Sequence, residues 1–169
     1  MRASGVLLPV FSLPSPHGIG CFSKEAYEWV DFLKLAGQQY WQILPLGPTS
    51  YGDSPYQSFS TYAGNPYFID LEELVEAGFL TRKEVEACDC GKAARDIDYG
   101  KLYENRFKLL RKAYERANVG EDQEFEAYRR KNAWWLDDYG LFMAVKDIFG
   151  GNSWDQWAED IRYRWDNAM

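Results

Sequence analysis

Between Gly47 and Tyr67 the chain gathers Tyr51, Tyr56, Tyr62 and Tyr67 among glycines, prolines, serines and Asp53. This is the stretch whose residue types could do chemistry. Each ring offers a flat apolar face, and the interleaved hydroxyls, amide and carboxylate offer hydrogen bonds. A sugar needs both, because its C–H face stacks on a ring while its hydroxyls require polar partners. The same residue types also build packed surface loops whose rings cover the edge of a core. Ordered loops of this length are uncommon and usually functional, and a solvated connector has no use for so many rings.

Other reactive groups are sparse. Cys21, Cys88 and Cys90 make an odd count, and Cys88-Asp89-Cys90 is too close-set for an ordinary disulfide framework. Reduced thiols fit best; a metal site on the C-x-C pair lacks further ligands, since the single histidine is far off at His17. His17 itself stands in a Pro/Gly turn with no carboxylate close in sequence, which points to a structural role.

The elements that must position the aromatic loop are readable from periodicity. Ser4 to Phe11 is Val/Leu-rich and ends at the turn cluster Pro14-Ser15-Pro16-His17-Gly18, so a strand is expected. Ser23 caps a helix running through Leu35, with Glu25 in the first turn and Gly37 past the end. Ala26, Trp29, Val30, Leu33 and Ala36 give it one apolar face. Tyr40 to Leu46, closed by Gly47-Pro48, reads as a second, buried strand. Strand, helix and strand make a β-α-β unit with a right-handed crossover.

Beyond Asp70 the pattern turns helical. Leu71 to Ala77 ends at Gly78, and Thr81 with Glu84 spells a capping box. Tyr103, Phe107, Leu110, Tyr114 and Ala117 keep a helical stripe, the usual position of core residues. Asp122 opens a segment with Phe125 and Tyr128, and Trp134 to Phe149 is apolar nearly all round, as in a helix buried from several sides. Gly150-Gly151 stops it before an amphipathic segment carrying Trp154, Trp157, Ile161 and Trp165, whose spacing favours packing over a sugar platform. Two parallel strands do not make a stable sheet alone. As the first staves of a (β/α)8 barrel, a fold of about 250 residues, they imply that 169 residues are a portion of a longer protein.

Composition excludes several function classes. A formal charge of -7, with Lys and Arg scattered, argues against nucleic acid as a partner. No stretch approaches the roughly 20 apolar residues of a membrane helix. The early run Val6 to Leu13 is broken by Pro9 and lacks a cleavage pattern, so no signal peptide is expected and a cytoplasmic protein is. Seven Trp and twelve Tyr, within a 17% aromatic share, point to carbohydrate or protein surfaces.

Four stretches, SGVLLPVFSLPSPHGIG, YWQILPLGPTSYGDSPYQSFSTYAGNPYFIDL, IDYGKLY and WWLDDYGLFMAVKD, occur in an order that resembles the N-terminal third of the 4-α-glucanotransferases, glycoside hydrolase family 77 of the α-amylase clan. The resemblance implies an α/β fold: residues 1–69 open a (β/α)8 catalytic barrel bearing the aromatic substrate loop 47–67, and residues 70–169 form a helical insertion. The barrel is incomplete in this chain. It implies transfer of 1,4-α-glucan segments between maltooligosaccharides by a retaining double displacement, with no cofactor and no metal. By resemblance Tyr56 stacks on glucose beside the bond being cut, Ser54 and Asp53 shape that subsite or its acceptor side, and Tyr51 and Tyr103 match a second, remote glucan site. The nucleophilic Asp, the acid/base Glu and a ring-distorting Asp belong to later barrel strands, so no catalytic residue is expected here. Asp53, Asp70, Asp98, Asp137 and Asp138 are accordingly not assigned catalytic roles. Tyr56 as a core ring, Tyr103 as a stripe residue and Asp53 as a turn former are the structural alternatives. A non-catalytic maltooligosaccharide-binding remnant is the alternative for the chain, and a helical interaction domain a third. The oligomeric state is left open.

Overall fold

The computed structural model describes residues 2–50, 52–91, 96–166 and 168. They fall in two compact units, Met1–Glu121 and Asp122–Met169. In the first, β1 (Gly5–Leu7) pairs in parallel with β2 (Tyr40–Gln42) in the register Gly5 with Tyr40, Val6 with Trp41 and Leu7 with Gln42. Helix α1 (Lys24–Leu35) connects them, as the β-α-β pattern predicts. Leu8 N–H donates to the Gln42 carbonyl at 3.0 Å, and the Trp41 indole N–H donates to the Leu8 carbonyl at 2.7 Å, tying the strand ends together.

Both strands are shorter than expected. Pro9 has no N–H to give a ladder, and the chain turns at once into a 3-10 segment, Val10–Ser12. Nor is either strand buried. Trp41 packs on the cluster of Val10, Leu13, Ala26 and Phe68, whereas Leu7 and Tyr40 on the opposite side of the pleat are exposed. Ala26 and Leu33 of α1 are buried as predicted, but Val30 and Ala36 are exposed, so only part of the expected stripe finds a partner. Ser23 occupies the cap position; its hydroxyl donates to Glu25 Oε2 at 2.5 Å instead of accepting a backbone N–H.

A second cluster, Leu71, Leu80, Val85, Leu109 and Ala113, joins α2 (Leu71–Glu76), α3 (Arg82–Ala87) and α5 (Phe107–Ala117). The capping box forms: Thr81 Oγ1 accepts from Glu84 N–H at 3.3 Å and Glu84 Oε2 accepts from Thr81 N–H at 3.0 Å. Thr81→Ala is expected to lower stability by about 1 kcal/mol in denaturant unfolding. Glu84 also receives both terminal nitrogens of Arg116 at 2.7 Å, which pins α3 to α5. The Arg116 hydrogen bonds, with those of Thr81, hold the Glu84 carboxyl well below the usual carboxylate range. The unfolded chain therefore takes up this proton at a higher pH than the folded chain. The contribution is complete above the ordinary carboxylate range and is lost as pH falls through it toward the lowered value. Glu84→Gln is expected to flatten the acid limb of a plot of Tm against pH below about pH 5.

Helix α4 (Tyr99–Lys101) starts at Asp98, whose carboxylate accepts from Lys101 N–H at 3.0 Å, and a π-helical turn, Leu102–Arg106, leads into α5. Here the expected stripe is displaced by one residue. Leu102, Arg106, Leu109 and Ala113 are buried, while Tyr103, Phe107 and Tyr114 are exposed. The fully buried Arg106 explains the displacement: its guanidinium donates to the carbonyls of Ile69, at 2.7 Å, and His17, at 3.3 Å, and so takes a core position that hydrophobicity assigns to an apolar residue. His17, without a carboxylate close in sequence, finds one far along the chain, its Nε2 lying 2.8 Å from Glu72 Oε1. Arg82 holds the other Glu72 oxygen.

In the second unit, Asp122 caps α6 (Gln123–Ile148), one 26-residue helix in place of the two segments expected. None of its residues is buried, contrary to the expectation for Trp134 to Phe149. Within this unit the rings pack against one another: Trp157 lies 5.3 Å from Phe142 and 6.0 Å from Phe149, ring centre to ring centre. Gly150 and Gly151 end α6 with positive φ, and the segment beyond is a 3-10 turn, Trp154–Gln156, followed by α7 (Glu159–Arg162). Among the described residues no helix is long and apolar enough to cross a membrane.

Candidate functional site

The aromatic loop is ordered by its own polar groups. Asn65 N–H donates to the Leu46 carbonyl at 2.8 Å, closing the base, and an antiparallel bridge between Thr49 and Ser58 closes a smaller loop inside it. Ser60 Oγ accepts from Ala63 N–H at 3.0 Å, and Ser58 Oγ donates to the Ser60 carbonyl at 2.7 Å. Several hydroxyls that composition offers to a sugar are therefore spent on holding the loop in shape.

At the tip, Gly52 and Asp53 both have positive φ, 95° and 56°, a conformation that aspartate tolerates better than most residues. Asp53 N–H donates to the Ser50 carbonyl at 3.0 Å and Gln57 N–H to the Ser54 carbonyl at 3.0 Å, two successive tight turns. Ser54 Oγ accepts from Tyr56 N–H at 3.4 Å, which sets the backbone that presents the Tyr56 ring. That ring is 73% exposed. Tyr56 therefore has an open face of the kind stacking requires, and is not a core ring.

Asp53 faces the other way. With Phe11, Ile19, Pro45, Asn65 and Tyr99 it lines a cavity of about 10 Å³, room for one water molecule and far short of a glucose ring. Burial raises the Asp53 carboxyl above its ordinary value. The Tyr67 hydroxyl is pushed up to about 12 by burial and then by the negative charge of Asp53, and Tyr99 is raised by the same two causes. Asp53 thus shares a cavity wall with Tyr99, whose ring centre lies 6.3 Å from that of Tyr67. Tyr67 also packs on Phe107 at 5.5 Å, and Phe107 meets Tyr103 edge-to-face at 6.0 Å. A chain of rings therefore runs from Tyr99 through buried Tyr67 and exposed Phe107 to Tyr103, itself 66% exposed. Tyr51 lies outside the described residues. Among them, no group of three or more His, Cys, Asp or Glu side chains is placed to hold a metal ion.

Tyr67, Tyr99 and Arg106 escaped the sequence reading as positioning residues. For Arg106 a signal existed: Leu102, Leu109 and Ala113 recur at helical spacing with Arg106 in the same row. The roles of Tyr67 and Tyr99 depend on contacts between distant segments, for which one sequence carries no signal.

The family profile described as Glyco_hydro_77, 4-alpha-glucanotransferase, matches residues 8–169. The chain belongs to this family. It is 51% identical over 155 residues to the 4-alpha-glucanotransferase of Clostridium butyricum, covering 92% of this chain and 32% of that protein. With the enzyme of Thermus thermophilus the identity is 47% over 172 residues, covering 99% of this chain and 33% of the relative. Among solved structures, the amylomaltase of Streptococcus agalactiae in complex with acarbose matches with a TM-score of 0.93 and 40% identity, across 99% of this chain and 34% of that one. The chain thus spans about a third of the length of the glycoside hydrolase family 77 relatives it matches.

Proposed function

We propose that this chain is the glucan-gripping part of a 4-α-glucanotransferase, which moves a segment of a 1,4-α-glucan to the 4-position of an acceptor glucose or glucan. The observation that carries the reading is the match to family 77 relatives over nearly the whole chain, at 47% to 51% identity in two of them. The open Tyr56 face supports it, because a glucose ring needs an uncovered aromatic surface at its binding site.

In this reading residues 1–69 open the (β/α)8 barrel, with the loop 47–67 at its C-terminal mouth, and residues 70–169 form the helical insertion. Tyr56 stacks on the sugar beside the bond that is cut. Ser54 acts by fixing the backbone that carries Tyr56, and Asp53 shapes the subsite from beneath. Tyr51 and Tyr103 serve a second glucan site. The retaining reaction needs a nucleophilic carboxylate and an acid/base carboxyl about 5–5.5 Å apart, and both come from outside these residues. The nucleophile holds the glycosyl group while a sugar hydroxyl replaces water as acceptor. The protein is cytoplasmic and its ligands are maltooligosaccharides.

The test is to incubate the complete protein with maltotriose and separate the products. Glucose together with oligosaccharides longer than maltotriose is the expected outcome; an unchanged substrate, or glucose and maltose alone, refutes transfer.

A further inference from the structure

The Cys88–Cys90 pair is a second chemical feature, separate from the aromatic loop. Cys88 caps the C-terminal end of α3, and Cys90 N–H donates back to the Cys88 carbonyl at 3.1 Å. This three-residue turn folds the two side chains toward each other, and the sulfurs meet at 3.0 Å. The turn is held from several directions. Asp89 Oδ1 accepts from Gly91 N–H at 3.2 Å, Asp89 Oδ2 accepts from Lys101 Nζ at 2.7 Å, and the Asp89 carbonyl accepts from Asn105 Nδ2 at 2.9 Å. Gly18 presses on it so closely that a β-carbon there would stand 1.9 Å from the Cys90 carbonyl oxygen. The dithiol is therefore preorganised, and neither sulfur has to search for the other.

The buried Arg106 guanidinium only partly offsets the burial that raises the Cys90 thiol, so the pair is set apart by its geometry. The two thiols differ in access: Cys90 is buried and Cys88 half-buried. Burial, with the neighbouring Cys88, pushes the Cys90 thiol up to about 12, and the more accessible Cys88 is the sulfur that meets an oxidant first.

We propose that Cys88 and Cys90 form a reversible two-electron oxidation site that a hydroperoxide closes to a disulfide within the Cys88-Asp89-Cys90 turn. The Cys88 sulfur attacks a peroxide oxygen, the O–O bond breaks, the departing hydroxide leaves as water with the proton of the Cys88 thiol, and Cys88 becomes a sulfenic acid. The Cys90 sulfur then attacks Cys88, the S–O bond breaks, and the hydroxyl departs as a second water with the Cys90 proton. Two thiols and one hydrogen peroxide give one disulfide and two waters; the thiols lose two electrons and the peroxide gains them. A disulfide is about 2.05 Å long, so the sulfurs need close only by about 1 Å. Cys90 shares its cluster with Ile19, Tyr67 and Leu102, which connects the site to the packing beneath the aromatic loop.

The experiment treats the complete reduced protein with hydrogen peroxide, then unfolds it, alkylates its remaining thiols and maps the peptides by mass. Of the chain's three cysteines, Cys21 alone is expected to remain alkylated. The peptide holding Cys88 and Cys90 is expected to be lighter by two hydrogens and to regain both thiols with dithiothreitol. Cys90→Ser is expected to divert Cys88 to sulfinic acid, and Cys21→Ala to leave the bridge unchanged. A bridge to Cys21, sulfinic acid on Cys88 beside an alkylated Cys90 in the unaltered protein, or all three thiols intact would each overturn the proposal.

Discussion

Arg106→Ala is expected to lower stability by roughly 3–5 kcal/mol in urea unfolding, since it both empties a core position and orphans two acceptors. Arg106 is fully buried, and its guanidinium satisfies the carbonyls of His17 and Ile69, which lie in segments far apart in sequence. Each abandoned buried carbonyl costs about 1–3 kcal/mol, and the lost side-chain volume adds a cavity beside Leu102 and Cys90. Arg106→Met, which keeps the volume without the bonds, is expected to lose less than the alanine variant. Equal losses would mean that the hydrogen bonds, not the packing, account for the whole effect. A change under about 1 kcal/mol for Arg106→Ala would contradict the role assigned to this residue.

The second large effect falls on function. Tyr56→Ala is expected to reduce kcat/KM for maltooligosaccharide transfer about 10- to 100-fold, the loss of roughly 1.4–2.8 kcal/mol of ring-to-sugar contact. Because the ring is 73% exposed, the same variant is expected to unfold within about 0.5 kcal/mol of the unaltered protein. Tyr56→Phe keeps the stacking face and is expected to lose less than tenfold. An alanine variant with full activity, or one that loses activity and stability together, would remove the basis for placing a sugar on this ring.

Much of the architecture was legible because local rules and tertiary packing agree there. The β-α-β order, the start of α1 at Ser23, the Thr81–Glu84 capping box and the Gly150–Gly151 stop all appear where residue chemistry puts them. Strand lengths were not legible, since a strand extends only as far as its partner and Pro9 allow. The burial of α6 was misjudged because an apolar composition states what a helix can bury, not what is present to cover it. Of the candidate site, the loop could be read directly from ring density and turn residues, whereas Tyr56 was singled out among its rings by the family resemblance. Asp53 could not be placed from sequence: it lines a small cavity with Tyr99, a residue that only the folded chain brings to it. The stripe through Tyr103 was assigned one residue out of place because a buried arginine counts as polar in any hydrophobic pattern.

A crystal structure of the complete protein grown with a maltooligosaccharide tests the account most directly. A glucose ring lying flat against Tyr56, at the van der Waals distance of a stacked pair, is the predicted result. A saccharide bound elsewhere, with the Tyr56 face bare or covered by protein, would contradict it.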